Sequence, residues 1–320
     1  MPNGHNPGWG FEHDARMNLL HPDARLKCLV ELEEKLPREI RGQGHILPRV
    51  LSVLRRGQLG LKKAGRPRGT FMFLGPTGTG KTELTLVFTK HLFSGDGLIR
   101  LDMSEYQTQT SLGLLIGSQL GECGYLGMEH QRVRQGTLLL DEIEKAHPRV
   151  LDICLQLLDA ARVTVANGQT LDFSSFYIVL TSNIGGAEIL ALQYSPASTL
   201  ERFVLGRAQQ TLRPEMLARI DEVLVFHPLA YDVQLEIAEK FLGSELKFLK
   251  GQGYELEMDD RVLPFLVRKG FHPKLGARPM RNAVEKLIGD AVAKNLLSGG
   301  SGRGKLQVAD GSESLLIAEG

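Results

Sequence analysis

Cysteine is scarce in this chain, and the three that occur, Cys28, Cys123 and Cys154, lie far apart. Their spacing excludes a disulfide framework and the paired pattern of a zinc site, and such sparing use fits a reducing compartment. No apolar run approaches the roughly 18 residues of a membrane span, and Met1 to Arg16 lacks the apolar centre of a signal peptide. A cytoplasmic location with no membrane partner is therefore expected. An excess of one charge is absent too, since 38 Lys and Arg against 37 Asp and Glu give a formal net charge of +1. That balance removes the overall electrostatic footprint of a nucleic-acid binder. Arg55, Arg56, Lys62, Lys63, Arg66 and Arg68 nevertheless form one local basic run, which reads either as solvated surface or as a nucleic-acid patch.

What is present is ordinary in bulk and specific in detail. Apolar residues at 42% and charged residues at 23% of 320 allow one large domain plus a smaller one. Within them, Gly75, Pro76, Thr77, Gly78, Thr79, Gly80, Lys81 and Thr82 form a glycine-rich loop ending in Lys-Thr. Such a loop points backbone N–H groups at the α and β phosphates of a nucleotide. Lys81 is expected to reach the β and γ phosphates and the Thr82 hydroxyl to bind Mg²⁺, which makes ATP and Mg²⁺ the expected cofactors. The flanks suit this reading. Phe71 to Leu74 is a short apolar run of the kind a doubly covered parallel strand shows, and Leu84, Val87, Phe88 and Leu92 mark one face of a following helix.

A second apolar run, Leu138 to Leu140, ends in Asp141 and Glu142. A strand of this kind delivers its carboxylates to the carboxyl edge of a parallel sheet, where ligands bind. Asp141 is expected to hold Mg²⁺ and Glu142 to polarise the attacking water as a general base. Alone, an Asp-Glu pair is as well explained by a solvated turn; beside the phosphate loop it is not. A further candidate strand ends in Thr181-Ser182-Asn183, where Asn183 either orients the water or caps a turn. Arg213 and Arg219 precede another strand, where a guanidinium is either a finger reaching a neighbouring subunit's γ-phosphate or an ordinary helix ion pair. Arg278 stands at the start of a long helix, a position where a cation opposes the helix dipole.

The predicted order is an amino-terminal tail (1–22), a large domain (23–228) and a smaller one (229–320). Helices around Leu26–Leu32 and Ile46–Leu54 are separated by Gly42 to Gly44. Strands follow at Phe71–Leu74, Leu98–Leu101, Thr137–Leu140, Tyr177–Leu180 and Glu222–Phe226, alternating with helical segments. That alternation argues an α/β core with a parallel sheet. Asn167-Gly168 signals a hairpin between the third and fourth. The smaller domain reads as mostly helical α+β: a strand at Tyr254–Met258, a long helix from Pro279 to Leu297, and a final strand pair about Asp310-Gly311.

Taken together, Gly75–Leu84, Asp102–Tyr106, Leu115–Gly117, Gly124–Gly127, Leu139–Pro148, Thr181–Asn183, Arg213–Asp221 and Gly276–Pro279 resemble the ATPase module of Clp-type AAA+ unfoldases, most nearly the second ring module of ClpB. The resemblance covers roughly residues 25–320. It implies an AAA+ P-loop core with a five-stranded parallel sheet and a small C-terminal lid, assembled as a homohexamer that threads protein substrates, with or without an adaptor, through its pore. By the same resemblance Asn183 is the first sensor, Arg219 the trans arginine finger, Arg213 a second trans contact, Arg278 the second sensor, Ile40 and Gln43 part of the adenine pocket, and Tyr125 the pore-loop aromatic.

Departures from that pattern are specific. Arg41 stands where an aliphatic residue usually precedes the glycine, Met128 replaces a frequent second pore aromatic, and Tyr125 to Asp141 is several residues shorter than usual. No Ile-Gly-Phe/Leu loop of the peptidase-docking type lies between Asn183 and Arg213, and the additional domains of ClpB and ClpX are not among these residues. The expected function is ATP-dependent protein remodelling by a single-ring ATPase. A DNA-associated ATPase, such as a loader or mobile-element ATPase, and a nucleotide-controlled assembly switch are the alternatives.

Overall fold

The computed structural model describes residues 22–318 apart from 94–96, 120, 193, 194, 273, 310 and 312. The expected tail therefore lies outside the described residues except for Pro22, which opens a helix, and Asp310 of the last predicted turn lies outside them too. Helices α1 (Pro22–Glu39) and α2 (Leu47–Gln58) lead into strand β1 (Gly69–Leu74), followed by α3 (Lys81–Phe93) and β2 (Leu98–Asp102). Next come the short helices α4 (Ser111–Ile116) and α5 (Gly124–Arg132), then β3 (Gly136–Asp141) and α6 (Pro148–Ala160). The hairpin β4 (Arg162–Thr164) and β5 (Thr170–Asp172) turns at Asn167-Gly168, before β6 (Phe176–Ser182), α7 (Gly186–Ala191), α8 (Ala197–Thr211), α9 (Pro214–Leu217) and β7 (Glu222–Val225).

The five long-range strands form one parallel sheet in the order β2-β3-β6-β1-β7. Every residue of β1, β3 and β6 is buried. Their continuous apolar runs are what a strand needs when helices cover both faces. Side chains alternate between those faces. Phe71, Phe73, Leu139, Tyr177 and Val179 pack with Phe88 of α3 and with α1 and α2, including Leu36 and Leu54. Met72, Leu74, Leu138, Leu140, Ile178 and Leu180 face the other way, onto Val150 and Leu157 of α6 and Val204 of α8. Each such fully buried large side chain stabilises the fold by about 1.5–3 kcal/mol. Tyr177 adds a polar anchor, its hydroxyl donating to Leu54 O at 2.8 Å.

The rest of the chain makes a smaller unit of α10 (Tyr231–Gly251), β8 (Glu255–Met258), α11 (Val262–Gly270), α12 (Met280–Leu297), β9 (Arg303–Val308) and β10 (Leu315–Ala318). Its sheet runs β10-β9-β8, with β9 antiparallel to β10 and parallel to β8. Leu242, Phe265, Leu266, Val284, Ile288 and Leu306 form its core. The fold is thus the α/β core with a small C-terminal α+β unit. The connection from α12 to β9 is short, because Arg303 and Gly304 pair with Glu255 and Leu256.

The basic run is largely engaged within the chain. Arg55 pairs with Glu33, Lys62 with Asp221 and Arg66 with Asp159, while Arg68 lies over the Phe93 ring and bonds Gln58 and Gln135. Among the described residues no helix is long and apolar enough to cross a membrane.

Replacing Tyr177 with Phe removes a buried hydrogen bond while keeping the ring, so a loss of about 1 kcal/mol is expected. It is read as a lowered urea midpoint with an unchanged slope; a midpoint equal to wild type would show that the hydroxyl contributes nothing.

Candidate active site

Because β1, β3 and β6 are neighbours with a common direction, their carboxyl ends meet. Gly75 N donates to Ser182 O at 3.3 Å, and Glu142 N donates to Thr181 Oγ1 at 3.1 Å. The glycine-rich loop, the acidic strand end and the Thr181–Asn183 segment therefore share one edge, with the loop entering the N-terminus of α3. That helix end supplies oriented N–H groups and a positive dipole for an anion.

Lys81 is buried and folded back on its own loop. Its ammonium donates to Gly75 O at 2.7 Å, Pro76 O at 2.8 Å and Asn183 Oδ1 at 3.0 Å. Burial lowers its pKa to about 8, against the opposing pull of Glu144, Asp141 and Glu142. Asn183 is the bridge: its Nδ2 donates to Glu142 Oε1 at 3.2 Å, and its Oδ1 also accepts from the Thr77 hydroxyl at 3.3 Å. Glu142 sits at φ 58°, a left-handed conformation rare outside glycine, of the kind that costs about 1–3 kcal/mol and clusters at functional sites. Lys145 pairs with its carboxylate.

Asp141 accepts from the Thr181 hydroxyl and pairs with Arg100 Nη2 at 2.7 Å. The Thr82 hydroxyl lies 3.4 and 3.5 Å from its two oxygens. A hydroxyl and a carboxylate side by side are the hard oxygen donors that Mg²⁺ takes, so this donor set fits the ion. A cavity of about 490 Å³ opens over these groups, lined by Thr77 to Thr82, Asp141, Glu142 and Asn183 and, from the small unit, by Phe241, Arg278 and Arg281. Its volume suits a nucleotide-sized ligand.

The small unit touches the loop itself. Ala277 N donates to Gly78 O at 3.2 Å. A Cβ on Gly78, at φ 72°, would come 1.9 Å from Leu275 O, and one on Gly276, at φ 60°, would come 2.6 Å from Gly78 O. Only glycine at both positions permits this approach.

Not every expected residue joins the cavity. Ile40 lines it, and so does Arg41. Gln43 does not: it is fully buried, donates to Thr79 O at 3.3 Å and His227 O at 2.9 Å, and accepts from His227 N at 3.1 Å. Its amide braces the phosphate loop from behind. Arg219 lies elsewhere, paired with Asp159 at 3.3 Å and bonded to Glu215 O at 2.8 Å, beside a surface depression that includes Arg162 and Thr170. Arg213 pairs with Asp152. Tyr125 sits in the first turn of α5 rather than in a loop, 37% exposed, because Leu126 and His130 bury the inner face of that helix. Sequence reading missed Arg100 and Arg281. The first shows as a lone charge inside the apolar run Leu98–Leu101, and the second lies three residues beyond Arg278.

A strand, phosphate loop and helix in a central parallel sheet, with acidic and Asn-bearing strand ends alongside and a small unit over the cleft, define an AAA+ P-loop module. Residues 66–223 match the AAA domain (Cdc48 subfamily), and residues 229–308 match the C-terminal, D2-small domain, of ClpB protein. The chain belongs to the Clp-type AAA+ family. It is 38% identical over 313 residues to the ATP-dependent Clp protease ATP-binding subunit ClpA homolog of Porphyra purpurea, covering 91% of this chain and 38% of that protein. It is 39% identical over 292 residues to the chaperone protein ClpB of Meiothermus ruber, covering 89% of this chain and 33% of that protein. For the chaperone protein ClpB of Vibrio vulnificus the identity is 37% over 287 residues, covering 87% and 33%. The chain thus spans between 33% and 38% of the length of these relatives.

The Lys81 environment sets a pH dependence. With the pKa lowered to about 8, the ammonium is protonated below that value and available to a phosphate. Nucleotide affinity is therefore expected to be flat below about pH 8 and to fall above it, by at most about tenfold per pH unit. Fluorescent-nucleotide titrations from neutral to alkaline pH check this. A Lys81→Arg chain keeps its charge throughout and should lose the fall; an equal fall in both would assign it to another group.

Proposed function

We propose that this module hydrolyses ATP with Mg²⁺ in a homohexameric ring and uses the cycle to pull apart or disassemble protein substrates. The observation that carries this reading is the hydrolytic set gathered in one cavity, Lys81, Thr82, Asp141, Glu142 and Asn183, with Arg219 held on a different surface. A finger outside its own site is what a trans contact requires.

In this reading Lys81 exchanges its loop carbonyls for phosphate oxygens, while Thr82 and Asp141 hold Mg²⁺. When bound, the ion would supply charge neutralisation at the phosphates. Lys81 and Glu142 are joined through Asn183, so moving the ammonium off Asn183 Oδ1 frees the amide to reorient. Glu142 then takes up the water and accepts its proton at a carboxylate oxygen. Arg278 and Arg281 add positive charge from the small unit, and Arg219, with Arg213 as a second trans contact, supplies a guanidinium to the next subunit's γ-phosphate. We take the division near residue 228 as the hinge between a large domain (23–228) and a lid (229–320), and Tyr125 as the side chain that grips substrate. A single ring is the assembly this reading expects.

Arg68, half-buried over the Phe93 ring and bonded to Gln58 and Gln135, is held within the chain, which removes one member of the basic run on which the DNA-associated alternative rests. The start of α5 at Gly124, which puts Tyr125 on a short helix, favours as second reading a switch whose assembly state is the output.

Replacing Glu142 with Gln should preserve ATP binding and lower turnover by at least about 100-fold. Arg219→Ala should do the same to turnover without weakening binding by an isolated subunit. Unfolding of a tagged model protein should require ATP and be lost in Tyr125→Ala while ATPase persists. Robust ATPase with equal unfolding by wild type and Tyr125→Ala would overturn threading. ATPase stimulated by DNA, with a steep salt dependence, would favour the rejected alternative.

A further inference from the structure

Behind the phosphate loop, three segments distant in sequence bring His45, Glu201 and His227 together. His45 lies between α1 and α2, Glu201 is on α8, and His227 follows β7. Each offers one ligand atom, and the three atoms lie within 4.8 Å of one another. His227 Nε2 is buried without a hydrogen-bond partner, 3.9 Å from Glu201 Oε1. A buried nitrogen left unpaired in a native fold calls for an explanation, and an ion is one of the few that satisfies it. His45 Nε2 is engaged by Val225 O at 3.0 Å.

We propose that His45, Glu201 and His227 form a site for one borderline divalent transition-metal ion, of which Zn²⁺ is the natural occupant. Two imidazoles and one carboxylate are a donor set that Zn²⁺ takes with water in the fourth position, whereas Mg²⁺ prefers oxygen alone. The two rings are stacked at 3.9 Å with their planes 17° apart. Coordination therefore requires one ring to turn out of the stack; His45, exposed to solvent, is the one that turns, and it gives up its bond to Val225 O. The site is distinct from the Thr82–Asp141 oxygen pair, and its ligands are not those of the hydrolytic reaction.

Its position gives the ion a consequence. His227 exchanges both backbone hydrogen bonds with Gln43, whose amide also bonds Thr79 O. Two residues on, Leu229 lines the nucleotide cavity. A metal bound here ties α8, the Gln43 segment and the approach to the small unit into one body, stiffening the back of the phosphate loop.

The test uses the full chain, stripped with a chelator, desalted and titrated with Zn²⁺ alone by calorimetry, with thermal unfolding in parallel. One Zn²⁺ per chain is expected, with a rise in Tm. His45→Ala and Glu201→Gln should each weaken binding by at least about tenfold and remove the Tm rise, while their metal-free unfolding midpoints stay near wild type. Asp141→Asn should leave Zn²⁺ binding intact, and excess Mg²⁺ should not displace it. Undiminished binding in His45→Ala, loss of binding in Asp141→Asn, or absence of binding heat in wild type would each overturn the site.

Discussion

The burial of β1, β3 and β6 on both faces is the constraint from which the rest follows. A strand covered on both sides can carry no charge along its length, because an unpaired buried charge is far more costly than any single contact is favourable. Polar chemistry is therefore confined to the strand ends. Since the three strands run in the same direction side by side, their carboxyl ends, and the acidic and amide groups carried there, fall on one edge. The phosphate loop, Asp141-Glu142 and Asn183 are neighbours for the same reason that Leu138 to Leu140 are buried.

That edge is wired together before any ligand arrives. Lys81, Asn183 and Glu142 form a chain of hydrogen bonds in which one amide uses its oxygen for the ammonium and its nitrogen for the carboxylate. Neither end can change partner without freeing the middle. The small unit is tied to the same loop at Gly78, where the backbone of Leu275 to Ala277 approaches too closely for any side chain. A change at the loop is consequently felt in two directions, toward the Glu142 carboxylate and toward the small unit.

Most of this was legible in the sequence, and the parts that were not share a cause. Periodicity and punctuation locate β1, β3, β6, the Asn167-Gly168 hairpin and α12, because burial on both faces or one face leaves a one-dimensional trace. The phosphate loop is legible because the backbone conformation of Gly75 to Gly80 tolerates so few residue types. The resemblance puts Gln43 in the adenine pocket; only three-dimensional packing shows its amide turned inward onto Thr79 and His227. The resemblance gives Tyr125 as a pore-loop aromatic; the burial of Leu126 and His130 by the rest of the fold draws its segment into the short helix α5. Arg281 and the His45–Glu201–His227 cluster depend on contacts between distant segments, for which a single sequence carries no signal.

Under the proposed reading the site is half of something, and charge placement supports that reading. Inside the cavity the lining cations are Lys81 from the loop, Arg41 and Arg100 from the large unit, and Lys240, Arg278 and Arg281 from the small one. Arg100 is committed to Asp141, and Lys81 at rest to carbonyls of its own loop. Across the molecule, Arg219 and Arg66 converge on the single carboxylate of Asp159. Two guanidiniums sharing one exposed acid leave net positive charge at that surface. Exposed ion pairs of this kind are worth at most about 1 kcal/mol each, so an incoming phosphate of higher charge outcompetes Asp159 with ease. A negatively charged cleft, as the nucleotide-loaded cavity would be, is the complementary surface, and a second copy of the same chain is the nearest source of one.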